Sequence, residues 1–361
     1  MTETSPRTSR HRRSDGTAAP AERPPRLRRR PGTGRTDDTT ARPGRRRLIV
    51  VSLAQVAVTV GLLAFVIWRW GPDPIVHAVS ALPWWAFPIG IALGGAGVVA
   101  QALRWRTVAR HHAIRIDTGP AIARCWQAAF LNSVLPGGLA GDLVRGADDS
   151  SDATVSAGRR ALASAFAAIA AERLVGTAVV FAAATVALVP LSLPGAAVCL
   201  AIALAAVGVA WRWLRPLSAG ELLRVVLLSI AGWAAFAGIF VVAMIALAPA
   251  APLGQAPALA SIAIAGMSVP IGVGGWGTRE AAAAWAFGLA GLAPGLGVTV
   301  SVGYGILALC STLPGAVVVA ARFAPRVREL RRARSRRRAR RAEIELRADV
   351  VAEREAADPA T

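Results

Sequence analysis

The chain has 361 residues, 54% of them hydrophobic and 17% charged, with a mean hydropathy of +0.48 and a formal net charge of +20. Soluble domains carry about 25% charged residues, so these values exclude an ordinary water-soluble enzyme, and the apolar content excludes a wholly disordered basic protein. The charge is also uneven: residues 1–47 hold 14 Arg and 5 acids, residues 322–361 hold 13 Arg and 7 acids, and the 274 residues between hold 14 Arg and 9 acids. All 41 basic residues are Arg, which reads as genome composition more than chemistry. Cys125, Cys199 and Cys310 lie in apolar stretches without metal-ligand spacing, so neither disulfide, metal nor other cofactor is expected.

In chain order, residues 1–47 are rich in Arg, Pro, Thr and Gly, which predicts a disordered tail. Residues 48–68 then run 21 positions without a charge, enough to cross a hydrocarbon core of about 30 Å at about 1.5 Å per residue. Arg45, Arg46 and Arg47 precede this run as in a cleaved signal, but its length and the spans that follow predict a retained helix. Comparable runs at 83–103, 161–188, 195–211, 225–248 and 297–321 make six full spans. Two further apolar segments, 119–140 and 257–292, are interrupted midway by Gly and Pro, with charges beside each break.

Loop charges orient these segments. The Arg-bearing stretches 104–118, 141–160 and 212–224 are expected in the cytoplasm with both tails, and the charge-poor stretches 69–82, 189–194, 249–256 and 293–296 outside. Each interrupted segment then begins and ends on one side, so both are expected to be re-entrant hairpins, inserted from opposite faces. The fold class is therefore an all-α polytopic membrane protein, with six spans and two broken-helix hairpins in an inverted-topology repeat. Its halves are 48–188 and 195–321, within a transmembrane domain at 48–322. Secondary transporters built this way hold substrate near the midplane where broken helices meet. Non-helical backbone at that depth must be buried in protein or line a wet space, which predicts a central cavity.

The first break reads FLNSVLPGGLAGDLVRG, Phe130 to Gly146. Pro136 ends the entering helix, Gly137, Gly138 and Gly141 turn the chain, and Asp142 is placed to cap the leaving helix. The second reads SVPIGVGGWGTREAAAAW, Ser268 to Trp285, where Pro270, four glycines and Thr278 repeat those parts. Residues 272–277 also fit G-x-G-x-x-G, but no strand precedes them and no βαβ unit surrounds them, which excludes a dinucleotide site. A Gly-rich loop running into a helix N-terminus still attracts anions, and Arg279 in the first turn strengthens that attraction.

Glu172 and Arg173 lie about a dozen residues beyond Arg160, on the order of 18 Å along the helix. A charge near the bilayer centre costs roughly 2.5 to 3.5 kcal/mol, so Glu172, Arg173, Arg279 and Glu280 must be paired or hydrated. Sequence neighbours on a helix point about 100° apart, so cross-pairing is expected: Glu172 with Arg279 or Arg145, and Arg173 with Glu280 or Asp142. An ionic clasp between the halves is the alternative to a functional site. Three Arg and three acids converging on two hairpins favour the site, since a clasp needs only one pair.

Other features are plainer. His111 and His112 read as a solvated loop, Gly90 and Gly94 as close helix packing, and Trp68, Trp70, Trp84 and Trp85 as an interfacial belt. There is no Ser-His-Asp set, HExxH or P-loop. Residues 326–341 are dense in Arg and pass into an acid-rich, helix-like stretch at 343–355, within a cytoplasmic tail at 323–361. Anionic lipid, at about 1 kcal/mol per Arg, is the expected surface for both tails, rather than any specific nucleic acid.

The motifs LNSVLPGGLAGDLVR, ERLVG at Glu172 to Gly176 and SVPIGVGGWGTRE, with weaker support from RWR at Arg104 to Arg106, resemble the transmembrane flippase-like domain of lysylphosphatidylglycerol synthetases and its stand-alone relatives. The resemblance covers about residues 48–322. It implies movement of a lipid between leaflets; with 40 residues after the last span, it implies neither the synthetase activity nor a fused glycosyltransferase. By the same resemblance Asp142, Arg145, Glu172, Arg173, Arg279 and Glu280 are the motif charges. The expected function is translocation of an anionic membrane lipid, phospholipid or polyprenyl phosphate, across a bacterial cytoplasmic membrane. Asn132, Asp142, Arg145, Glu172, Arg173, Gly274, Gly275, Gly277, Thr278, Arg279 and Glu280 form the expected lipid and anion site. The alternative is a non-transporting subunit that presents a lipid-linked substrate to a partner glycosyl- or aminoacyl-transferase. A membrane enzyme is the weakest reading, because no nucleophile or metal is evident.

Overall fold

The structure, a computed structural model, describes residues 43–135, 140–151, 159–269, 273–322 and 324. Pro136, Gly137, Gly138, Pro270, Gly272 and both Arg-rich tails lie outside the described residues. Within them every regular element is helical: α1 (Pro43–Trp70), α2 (Asp73–Ala81), α3 (Ala86–His111), α4 (Thr118–Val134), α5 (Ala140–Ser151), α6 (Arg159–Leu188), α7 (Leu193–Leu214), α8 (Ala219–Leu247), α9 (Ala256–Met267), α10 (Thr278–Leu289) and α11 (Pro294–Ser311). Six helices are long and apolar enough to cross a membrane, the last continuing past a break at Thr312 to Arg322. A helix satisfies its own backbone groups, which hydrocarbon cannot do. Large apolar side chains also stay exposed along it, among them Leu53, Val60, Val186, Val198, Leu204 and Leu223. In water such a surface would be an association hazard; against lipid tails it is the required one. The chain is an integral, multi-pass, all-α membrane protein.

Helix ends depart from the apolar runs where polar residues remain helical. α3 continues eight residues past the apolar run, through Arg104 to His111, and α5, the helix expected to leave the first break, runs from Ala140 to Ser151. The charge-poor stretch at 69–82 contains the short α2, which begins beside Pro72 and Pro74. Ends are fixed locally: Ser218 and Glu221 form a capping box on α8, and Ser192 accepts from the Gly195 N–H at the start of α7. Small residues set the closest crossings, Gly94 of α3 lying so near Ser311 that a Cβ would meet its hydroxyl at 2.2 Å.

Both interrupted segments are helical hairpins. In the first, a Cβ on Gly141 would strike the Ala128 carbonyl at 2.2 Å, Arg145 reaches Cys125, and Arg124 reaches Asp149, so α4 and α5 run antiparallel. In the second, Gly266 meets Ala282 and Gly275 meets Met267. Gly274, at φ +57°, and Gly275, at φ +78°, turn the chain into α10. The tips of the hairpins touch: a Cβ on Gly274 would lie 2.9 Å from the Ser133 carbonyl oxygen at the end of α4. Loop contacts fall into two groups. His111 meets Glu221 and Asp148 meets Arg322 in one; Gly295 meets Trp70 and Pro74, and Gly195 meets Trp285, in the other.

Gly141→Val drives a side chain into backbone, so it is expected to cost at least about 1–3 kcal/mol. Gly208→Val on α7, where nothing lies within 4 Å, should stay within about 0.5 kcal/mol of the parent. Unfolding midpoints in detergent compare the two.

Candidate functional site

The first cluster forms where α5 packs on α6 beneath α3. Glu172 of α6 is fully buried and accepts from Arg104 of α3 and, at 3.3 Å, from Arg145 of α5. Arg104 also donates to Ser229 of α8 at 3.0 Å, tying this site to the second half of the chain. Arg173 donates to Asp142 at 2.7 Å, and Arg145 lies 3.7 Å from the same carboxylate. Asn132 of α4 binds the hairpin at both ends of its amide: its oxygen accepts the Gly141 N–H at 2.8 Å and its nitrogen approaches Asp142 at 3.4 Å. The Arg145 guanidinium stacks 5.1 Å from the Trp105 ring and donates to the Cys125 sulfur at 3.3 Å.

Three guanidinium groups thus face two carboxylates, leaving one net positive charge. Nε of Arg104, Arg145 and Arg173 and the Trp105 indole N–H have no acceptor among the described residues. The Arg173 side chain is 41% exposed, whereas that of Arg145 is 1% and that of Arg104 10%. The cluster therefore has one partly exposed side chain, Arg173, whose Nε is enclosed, above a sealed ionic floor.

The second cluster is closed and neutral. Arg279 donates to Glu280 Oε1 at 3.0 and 2.5 Å and to Ser301 at 3.1 Å, with Trp276 and Tyr304 ring centroids 4.6 and 5.2 Å from its guanidinium. Ser301 donates to Glu280 at 3.2 Å. The other Glu280 oxygen accepts the Gly277 N–H at 2.6 Å, and Thr59 of α1 accepts the Val273 N–H at 2.7 Å. Glu280, and not Thr278, therefore caps α10; the Thr278 hydroxyl instead donates to the Gly275 carbonyl at 3.1 Å. In the first turn of α5 Asn132 takes the Gly141 N–H.

Residues 52–219 match the family described as lysylphosphatidylglycerol synthase TM region. Over that stretch, just under half of the chain, the sequence is similar to this family. The match takes in α3 through α7, and so every charged member of the first cluster, while the second cluster lies beyond it. No curated protein matches the chain.

Of the expected alternatives, Glu172 pairs with Arg145 and Arg173 with Asp142, whereas the pairs Glu172 with Arg279 and Arg173 with Glu280 do not form. The Glu280 carboxylate is held at the start of α10 by the Gly277 N–H, and the long Arg279 side chain folds back onto it despite the angle between neighbours. Glu172 and Arg173 do diverge, each to a different partner. The apolar run stops before Arg104, so the sequence pattern points to a loop there, and the RWR motif is the one signal of its role. His111 and Glu221 approach to 3.0 Å, and burial together with neighbouring His111 pushes His112 below the ordinary histidine range.

Glu172→Gln leaves Arg104 and Arg145 facing each other without their shared carboxylate. Breaking a buried pair costs about 3–5 kcal/mol, so a fall of that size in unfolding free energy is expected. Arg173→Gln leaves the buried Asp142 with Arg145 at 3.7 Å and should cost less, about 1–3 kcal/mol.

Proposed function

We propose that this protein binds the anionic headgroup of a membrane lipid between its two hairpins and transfers it from one leaflet to the other. The observation that carries the reading is the first cluster: one uncompensated positive charge, orphaned buried donors and a half-exposed Arg173 in a membrane protein. Charge-assisted hydrogen bonds from guanidinium to phosphate are the strong, oriented kind. Arg173 and Arg145 take the phosphate, and Asn132 fixes the hairpin that carries them. Asp142 occupies Arg173 until the lipid arrives, and Glu172 holds the floor. On the far side of the touching tips, Gly274, Gly275, Gly277 and Thr278 shape the turn, while Arg279 and Glu280 enter the transfer path only if their own pair opens.

In this reading the hairpins are re-entrant from opposite faces, within half-repeats 48–188 and 195–321 of a domain at 48–322. Three crossings per half invert the second half relative to the first. The protein is a transporter and not an enzyme; it sits in the bacterial plasma membrane with its Arg-rich tails in the cytoplasm against anionic lipid.

Leaflet-resolved labelling of phospholipid in reconstituted vesicles tests the proposal. Wild type should transfer lipid, and Arg173→Ala should lower the rate by about tenfold or more, the worth of a charged hydrogen bond. Equal rates in the two proteins would refute the site. Retained lipid binding without transfer in the wild type would instead favour substrate presentation to a partner transferase.

A further inference from the structure

A second lipid contact lies away from both clusters. Phe65 and Trp70 of α1, Ala281, Trp285 and Leu289 of α10, and Pro294 at the start of α11 line an open groove of about 400 Å³. Small-molecule sites occupy about 300 to 1,000 Å³. The lining is apolar throughout, and Phe65 and Trp285 are each 47% exposed. Along α10 the groove runs from Leu289 in the last turn back to Ala281, two positions beyond Arg279, about 12 Å by helix rise. At one end Gly295 meets Trp70 and Pro74, and Trp68, exposed at 80%, lies 6.0 Å from the Phe65 ring of the groove wall.

The charge at that end is the second observation. Arg69 is exposed, its guanidinium is 5.4 Å from the Trp70 ring that forms part of the groove wall, and it has no carboxylate partner among the described residues. It is the single arginine in 69–82, which holds no lysine. An apolar slot, with a cation on the Trp70 ring of its wall that has no carboxylate partner among the described residues, matches one molecule in both parts: an acyl chain and the phosphate above it.

We propose that the groove and Arg69 form a peripheral docking site for an anionic phospholipid of the leaflet in which α1 ends. One acyl chain lies between α1 and α10 and the phosphate pairs with Arg69. The bound chain rests on α10, the helix whose first turn carries the Arg279 and Glu280 pair, so a docked lipid touches the second hairpin directly. The site stands whether or not the central cluster transfers lipid.

Photolabelling of the full chain in phosphatidylcholine vesicles tests it, with a trace of phosphatidylglycerol bearing a diazirine in its acyl chain and, in parallel, phosphatidylcholine with the same chain. Adducts mapped by mass spectrometry should concentrate on residues 65–70 and 281–289. The anionic probe should exceed the neutral one there by about fivefold, the preference expected for one interfacial Arg. Arg69→Gln should bring the two probes to parity. Ala281→Phe and Gly288→Leu should remove the groove adducts while those on the exposed face of α7, at Val198 and Leu204, persist and report an inserted protein. A Cβ at Gly288 makes only ordinary contact with Pro294, at 3.5 Å, so that variant is expected to fold. Arg173→Ala should leave the groove adducts unchanged, which keeps this result separate from the transport assay. Groove adducts no denser than those on α7, or equal labelling by both probes in the wild type, would mean ordinary surrounding lipid and overturn the proposal.

Discussion

A charged side chain in hydrocarbon costs roughly 2.5 to 3.5 kcal/mol, and this chain places several inside its membrane body. The architecture answers that cost with pairing. Glu172 is shared between Arg104 and Arg145, Asp142 holds Arg173, and Arg279 lies on Glu280. Each pair needs two elements, or one turn, brought within a few ångströms, and the breaks in the helices make that approach feasible. A continuous helix through 119–140 would have carried Asp142 and Arg145 away from α6; folding back on α4 presents them to it. Glycine at 141 is part of the same solution, because only hydrogen fits against the Ala128 carbonyl.

The halves solve the problem differently. In the second, acid and base are adjacent in sequence, neutralise each other and are enclosed by Ser301, Trp276 and Tyr304. In the first, the span after the hairpin brings its own charges, Arg104 joins from α3, and the sum is one positive charge with Arg173 at the rim. A neutral, enclosed pair stiffens the hairpin it caps. A cluster with an excess cation and orphaned N–H groups is poised for an anion, which is why the proposed headgroup site centres on the half matched by the synthase TM family.

Much of this was legible in the residues. Charge-free runs such as 48–68 report spans directly, because bilayer thickness sets their length, and Pro and Gly amid apolar residues mark the breaks. The partners were less legible. Arg104 lies just past the end of an apolar run, and a linear reading placed it in a loop, whereas α3 stays helical for two more turns. The Arg279 and Glu280 pair also escaped, since helical geometry alone points neighbours apart; the length of an arginine and the free N–H of Gly277 decide otherwise. Side-chain reach and tertiary approach are invisible to periodicity, and the ionic site depends on both.

The central claim is that two charged hairpins enter the bilayer from opposite faces and meet at their tips. Single cysteines at Arg115, before the first hairpin, and Leu253, before the second, measure it most directly, in a background with Cys125, Cys199 and Cys310 replaced. A membrane-impermeant thiol reagent added from one side of oriented vesicles should modify one position and spare the other, with the pattern reversing when it is added from the opposite side. Modification of both positions from the same side would contradict the account.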